Sequence, residues 1–214
     1  VFLRPLGLRL TVSTSIRSIM WKPPELSVSG GFFLIVGWFA VSCGGEAALL
    51  VLSAALLHEL GHILALRLSG AGICWLRISV LGAVMETRGN LSYGQELLCL
   101  LAGPGANLLA AVLFGALDCG GLAGVNAVLC LFNLLPVFPL DGGTVLYLLL
   151  SWLAGPQAAF WGSRCIGCAA AAAVCCLTVW LVWQTGGSLW LLPAAFGLLA
   201  AALRELHGRK ADFL

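Results

Sequence analysis

His58-Glu59-Leu60-Gly61-His62 stands inside otherwise apolar sequence that runs from Ala47 to Leu66. On a helix, residues four apart share one face, so His58 and His62 can grip a single metal ion. Glu59, next to the first of them, can reach a water on that ion. This is the H-E-x-x-H arrangement of zinc hydrolases. An ionisable group within a membrane-spanning segment costs at least about 2.5 kcal/mol, so three together require a partner or a purpose. The residue types and their spacing point to metal-assisted hydrolysis at membrane depth.

A catalytic zinc takes three protein ligands and leaves one position open. The chain has three histidines, and the third, His207, lies in a basic tail where a surface role accounts for it. A carboxylate is therefore expected as third ligand. Glu46, Glu86, Glu96, Asp118 and Glu205 stand near the ends of apolar segments, where solvation explains them, whereas Asp141 has apolar sequence on both sides. Around it, Asn133, Pro136, Pro139, Gly142 and Gly143 break the pattern of a span. The prolines remove helix donors and the glycines let backbone approach closely. Such a break would bring Asp141 in at membrane depth and free backbone groups for an extended peptide. The same Asp could also cap the next helical piece, a role compatible with ligation. The expected centre is one Zn2+ per chain on His58, His62 and Asp141, with Glu59 as the catalytic base.

The elements that must hold these residues are membrane helices. Of 214 residues, 61% are hydrophobic and 9% charged, with mean hydropathy +1.04. Soluble domains carry about 25% charged residues. A net charge of +2 gives no reason to expect a nucleic-acid partner. Apolar segments at about 28–43, 47–67, 95–117, 122–153 (interrupted by 133–143), 165–184 and 188–206 predict six spans. With the N-terminus in the cytoplasm, all eleven basic residues fall on the cytoplasmic side. They are Arg4, Arg9, Arg17 and Lys22; Arg67, Arg77 and Arg88; Arg164; and Arg204, Arg209 and Lys210. The turns on the other side contain none, a positive-inside pattern that predicts both termini in the cytoplasm. With Arg67 at that interface, His62 would lie roughly 8–12 Å beneath it at about 1.5 Å per residue. Residues 72–91 alternate like strands around Gly82 and are too polar to span. They predict a short β-hairpin dipping into the membrane between the second and third spans, allowed only where protein or a water cavity covers its backbone, with an ordinary cytoplasmic loop as the other reading. The fold class is thus an all-α polytopic membrane protein with one such hairpin.

The nine cysteines mostly lie in apolar segments and read as small packing residues. Cys165-x-x-Cys168 could be a second metal or redox site, but its surroundings offer no further ligand. Residues 1–19 carry three arginines, no acids and no long apolar core, which is unlike a signal peptide. Met20 reads as a plausible start, and no folded structure is expected before it.

His58–His62, Ala102–Asn107 in the third span (G-P-x-x-N) and Asn133–Gly143 (N-x-x-P-x-x-P-L-D-G) together resemble the site-2 protease family of intramembrane zinc metalloproteases. The likeness runs in order from about Leu26 to Leu206. It implies His58, His62 and Asp141 as zinc ligands, Glu59 as base, and Asn133 and the Pro136 region facing the substrate. It also implies that the hairpin, with Ile78 and Val80, offers an edge strand to an unwound substrate. The short chain and its opening apolar segment look most like the bacterial branch that includes the stage IV sporulation protease, which cleaves a sigma-factor precursor. Departures are the lack of a PDZ-like insertion between the third and fourth spans, no room after Leu206 for a regulatory CBS domain, and Leu81-Gly82-Ala83 where relatives often pair glycines. Gly103, Pro104 and Asn107 read as packing against the catalytic helix, with substrate contact as the other reading.

The resemblance divides the chain into a basic cytoplasmic segment 1–25, a metalloprotease domain 26–206 and a cytoplasmic tail 207–214. It implies an integral protein of the bacterial cell membrane. Its partners would be the lipid bilayer, a transmembrane protein substrate (a sigma-factor precursor or an anti-sigma factor) and a membrane regulatory protein. The alternatives are a membrane metal transporter and an inactive scaffold. Against the first, Glu59 is superfluous as a ligand and no second polar intramembrane site lines a path. Against the second, every catalytic position is filled.

Overall fold

The protein is described from a computed structural model, which covers residues 2–4, 25–28, 30–79, 82–88, 91–185 and 191–207. The elements in chain order are β1 (Phe2–Arg4), β2 (Glu25–Val28), α1 (Gly30–Cys43), α2 (Gly45–Leu68), β3 (Gly72–Ser79), β4 (Gly82–Arg88), α3 (Tyr93–Ala116), α4 (Gly120–Asn133), α5 (Asp141–Ala154), α6 (Pro156–Thr185) and α7 (Leu191–His207). The architecture is mostly helical.

Among the described residues, three helices, α2, α3 and α6, are long and apolar enough to cross a membrane. At about 1.5 Å per residue even the 24-residue members exceed the roughly 30 Å of bilayer hydrocarbon. Their flanks carry bare apolar side chains such as Leu56, Leu64, Leu98, Leu109 and Trp183. Apolar surface of that extent needs lipid rather than water against it, and the chain is a membrane protein. The expected fourth span divides into α4 and α5, 14 residues each, with an irregular stretch between them. The expected fifth begins at Pro156 rather than near Cys165, because Gly155 separates α5 from α6 with no longer polar break. Among the described residues, the helices that meet the spanning requirement by length and composition number three, short of the six read from hydropathy alone.

The strands also depart from the expectation of a single hairpin. β3 and β4 pair antiparallel, with Leu76 opposite Met85 and Ile78 opposite Ala83. β2 runs parallel to β3 and β1 parallel to β4, giving the order β1-β4-β3-β2. A lone pair of strands leaves two rows of unpaired N–H and C=O groups. Here Phe2–Arg4 and Glu25–Val28 satisfy part of both rows. Phe2–Arg4 thus has structure where none was expected before Met20. Val80 and its neighbour Leu81 lie outside the described residues.

Small side chains bring the central helices together. A Cβ on Gly61 of α2 would stand 2.5 Å from the Ala102 carbonyl oxygen and 2.9 Å from the Ala106 Cβ of α3. Without lipid-water contrast to drive helices together, such close backbone approach is the usual source of packing energy. Leu66, Ala71, Cys99, Leu100 and Leu148 form a buried apolar cluster among α2, α3 and α5. It closes one end of a region in which His58, His62, Asn107, Asn126 and Asp141 are buried.

Candidate metal centre

Both histidine rings are oriented from α3. His62 Nδ1 donates to the Cys99 carbonyl oxygen at 2.7 Å. A carbonyl cannot donate, so the hydrogen sits on Nδ1. His58 Nδ1 donates to Asn107 Oδ1, also at 2.7 Å. The Asn107 amide nitrogen is turned to the Ala54 carbonyl oxygen at 2.9 Å, which leaves its oxygen facing the ring. Each neutral ring therefore presents an Nε2 lone pair to the interior.

The two Nε2 atoms are 3.1 Å apart. Asp141 Oδ2 lies 3.0 Å from His58 Nε2 and 3.3 Å from His62 Nε2. All three residues are at most 4% exposed. Three acceptors this close, buried together, suit a cation among them. A proton can serve one pair, whereas a metal ion serves all three. Donors held by one zinc at about 2.0–2.1 Å in tetrahedral directions stand about 3.3 Å from one another. The donor set fits Zn2+, and His58, His62 and Asp141 form the cluster of metal-capable side chains found among the described residues.

Asp141 reaches this point because the chain breaks just before it. It is the first residue of α5; the N-cap is Leu140, with no side-chain cap bond. The carboxylate turns to the histidines, while the positive end of α5 favours its charge. Residues 134–140 satisfy part of their backbone locally, with Val137 N–H donating to Leu135 O at 2.7 Å and Leu140 N–H to Val137 O at 2.8 Å. This stretch lies directly over the first turn of α5: a Cβ on Gly142 would collide with the Leu134 carbonyl. A Cβ on Gly103 of α3 would collide with His62 Nε2 itself. Glycine at 103 keeps that donor atom open.

Glu59 is half-buried on α2, and its Oε2 is buried without a hydrogen-bond partner. A buried carboxylate oxygen in that state is matched to something that brings a proton, such as a water.

The other expected residues are less sharply placed. Asn133 is the last residue of α4, half-buried, and one of its amide N–H groups donates to Leu129 O at 3.0 Å. The Pro136 carbonyl faces α6, where a Cβ on Gly167 would stand 3.0 Å from it. Ile78 is paired on both sides, with Val28 and with Ala83. Cys165 is exposed and Cys168 half-buried, and neither joins a ligand cluster among the described residues. The sequence reading missed three things. Asn107 neither merely packs nor faces substrate: it holds His58. The Cys99 carbonyl holds His62. Asn126, buried on α4, accepts from Asn107 Nδ2 at 2.8 Å. The available signal for the two amides was their presence in apolar helices.

No family model matches the chain. It is 32% identical over 130 residues to the proposed zinc metalloprotease Rip3 of Mycobacterium tuberculosis, in two strains, covering 53% of this chain and 32% of the relative. To the proposed zinc metalloprotease sll0528 of Synechocystis sp. it is 29% identical over 165 residues, covering 61% of this chain and 42% of the relative. The chain thus matches less than half the length of these relatives. Among solved structures it is similar to the site-2 protease from Methanocaldococcus jannaschii, with TM-score 0.64 and 22% identity over 89% of this chain and 93% of the other. The chain therefore has the fold of a site-2 protease, with a donor set for one metal ion among its central helices.

Proposed function

We propose that this protein is an intramembrane zinc metalloprotease that hydrolyses peptide bonds in or near transmembrane segments of membrane-bound substrates. The observation that carries the reading is the convergence of His58 Nε2, His62 Nε2 and Asp141 Oδ2 within 3.3 Å, together with a buried, unpartnered oxygen on Glu59, the residue that follows His58. Zinc in such a site acidifies a water and polarises a carbonyl. Glu59 takes the proton of the attacking water and passes it to the leaving amine, a contribution of about 10²–10⁴-fold in rate. His58, His62 and Asp141 hold their donor atoms toward one point, and α3 keeps both rings in the required tautomer. The helices around the site exclude bulk water, so the groups act in a low-dielectric setting.

A substrate helix hides its carbonyls in hydrogen bonds and must unwind before cleavage. The reading gives Asn133, with its second amide N–H, and the Pro136 stretch the task of holding the opened segment. The strands β3 and β4, dipping into the bilayer, would supply replacement backbone partners near Ile78 and Val80. Because β2 and β1 pair with part of them, a substrate strand would take the uncovered part or displace one of those strands. Six crossings with both termini in the cytoplasm follow from the basic residues. A bacterial cell membrane, a sigma-factor precursor or anti-sigma factor as substrate, and a place in the sporulation branch follow from the sequence resemblance, which also suggests a membrane regulatory partner.

The test uses Glu59→Gln and Asp141→Ala beside wild type. Metal analysis of purified protein is expected to give about one zinc per chain for wild type and Glu59→Gln, and a large fall for Asp141→Ala, since two ligands leave the site incomplete. Membrane proteomics of cells carrying Glu59→Gln should show an uncut membrane protein accumulating. Full zinc occupancy in Asp141→Ala overturns the ligand set. Identical proteomes overturn the protease.

A further inference from the structure

Three helices are joined by a one-way chain of hydrogen bonds that ends on the metal centre. Asn126 Nδ2 on α4 donates to the Leu122 carbonyl oxygen at 2.8 Å. That carbonyl can only accept, so the Asn126 amide is fixed with its oxygen turned away, toward α3. Asn126 Oδ1 accepts from Asn107 Nδ2 at 2.8 Å, and the same nitrogen donates to Ala54 O of α2 at 2.9 Å. Both amide hydrogens of Asn107 are thereby committed, and its Oδ1 accepts from His58 Nδ1 at 2.7 Å. Asn126 and Asn107 are 1% and 0% exposed, so water cannot substitute for any of these partners.

We propose that Asn126 is a positioning residue that sets the tautomer of His58, and so the metal affinity of the centre, through Asn107. The proposal rests on the metal-site reading above. If Asn107 turned its amide over, its nitrogen would face His58 Nδ1. The ring would then have to carry its hydrogen on Nε2, pointing into the cluster with His62 and Asp141. That turn currently sets Asn107 Oδ1 against two acceptors, Ala54 O and Asn126 Oδ1. Without Asn126 it meets one. Asn126 cannot turn in concert, because Leu122 O would then face an oxygen. A helix that contributes no ligand thus decides how a ligand on α2 is protonated, as partners behind metal-bound histidines generally do.

The experiment compares Asn126→Leu and Asn126→Asp with wild type in detergent. A neutral Asp can donate to Leu122 O and still accept from Asn107, and its burial favours the neutral form. Leu has nearly the same volume and neither function. The first readout is the ¹⁵N spectrum of histidine-labelled, zinc-free protein, which distinguishes Nδ1–H from Nε2–H rings and has three histidines to assign. The second is zinc affinity by chelator competition. Asn126→Leu is expected to mix the tautomers of His58 and weaken zinc binding about 10–100-fold. Asn126→Asp is expected to restore the Nδ1–H form and affinity. A packing role alone would lower stability and leave the tautomer unchanged. A pure Nδ1–H spectrum with affinity within twofold of wild type in Asn126→Leu overturns the proposal, as does Asn126→Asp behaving like Asn126→Leu. Should Asn126→Leu not fold, Asn126→Ala carries the same test. Because the tautomer is read without metal, a wild-type protein that binds no zinc would sink the protease reading and the affinity half of this inference, while the tautomer half is decided by the ¹⁵N spectrum.

Discussion

Two hydrogen bonds and one missing side chain leave the Nε2 lone pairs of His58 and His62 uncovered beside Asp141. Cys99 O and Asn107 Oδ1 take the ring hydrogens, and Gly103 leaves His62 Nε2 open. At residue scale the sharpest consequence concerns Gly103, which makes no hydrogen bond to the metal ligands yet stands where any Cβ would meet a donor atom. Gly103→Ala should cut zinc affinity by about 100-fold, the upper end of what indirect changes around a metal cost, because the neighbour is the donor itself and not the far end of a flexible chain. Chelator competition measures it. Affinity within threefold of wild type would mean that α3 can shift away from α2. Gly105, two positions on, has nothing within 4 Å of a Cβ, so Gly105→Ala is the matched control and should bind zinc as wild type does.

At the scale of elements, the break between α4 and α5 does what a continuous helix cannot. It ends one helix at Asn133, folds seven residues over the next, and starts α5 with Asp141 on its first position. The prolines and glycines divide the work. Pro136 and Pro139 stop helix propagation, and Gly142 and Gly143 admit the Leu134–Phe138 backbone against the first turn of α5. Gly142→Ala would force a methyl group into the Leu134 carbonyl. Backbone cannot rotate away as a side chain can, so the overpacking should cost about 1–3 kcal/mol. Asp141 should move off the histidines with it. The expected result is a lower unfolding midpoint together with zinc loss in the same variant. Unchanged thermal stability and zinc content would show that the break is not held by this contact. Unlike Gly103→Ala, this variant should be destabilised even when measured without metal.

At the scale of the whole molecule, the basic residues are distributed unevenly along the sequence between its apolar segments. Arg67 lies in the last turn of α2, and Arg164, near the start of α6, pairs with Glu205 of α7 at 3.2 Å. The turn at Asp118–Cys119, between α3 and α4, carries no basic residue. Anionic lipid and the insertion machinery keep Lys and Arg on the cytoplasmic side. Reporter fusions after Leu214 and within residues 118–121 should therefore report opposite sides, the first cytoplasmic. Equal signals at the two positions would rule out the six-crossing topology.

The sequence by itself picked out His58, His62 and Asp141, the candidate ligands that the fold brings together. Charged residues make up 9% of the chain, so a His pair at helical spacing and a lone Asp amid apolar sequence stand out without any knowledge of the fold. Asp141 was legible although it lies 79 residues from His62, because so few other carboxylates could compete for the role. The broken span was legible too, since proline and glycine act locally on the backbone. What orients the ligands was decided by tertiary structure. Asn107 lies 49 residues from His58, Cys99 37 from His62, and Asn126 19 from Asn107. Periodicity reveals which residues share a face of one helix and is silent on which helix lies against that face. A neutral amide in an apolar helix announces no partner, a backbone carbonyl carries no signal of its own, and the need for glycine at 103 arises from an atom on another helix. The N-terminal strands belong to the same class. Three or four residues carry too little pattern to be read alone, and they become strands because β3 and β4 offer unpaired edges that only the folded chain brings within reach.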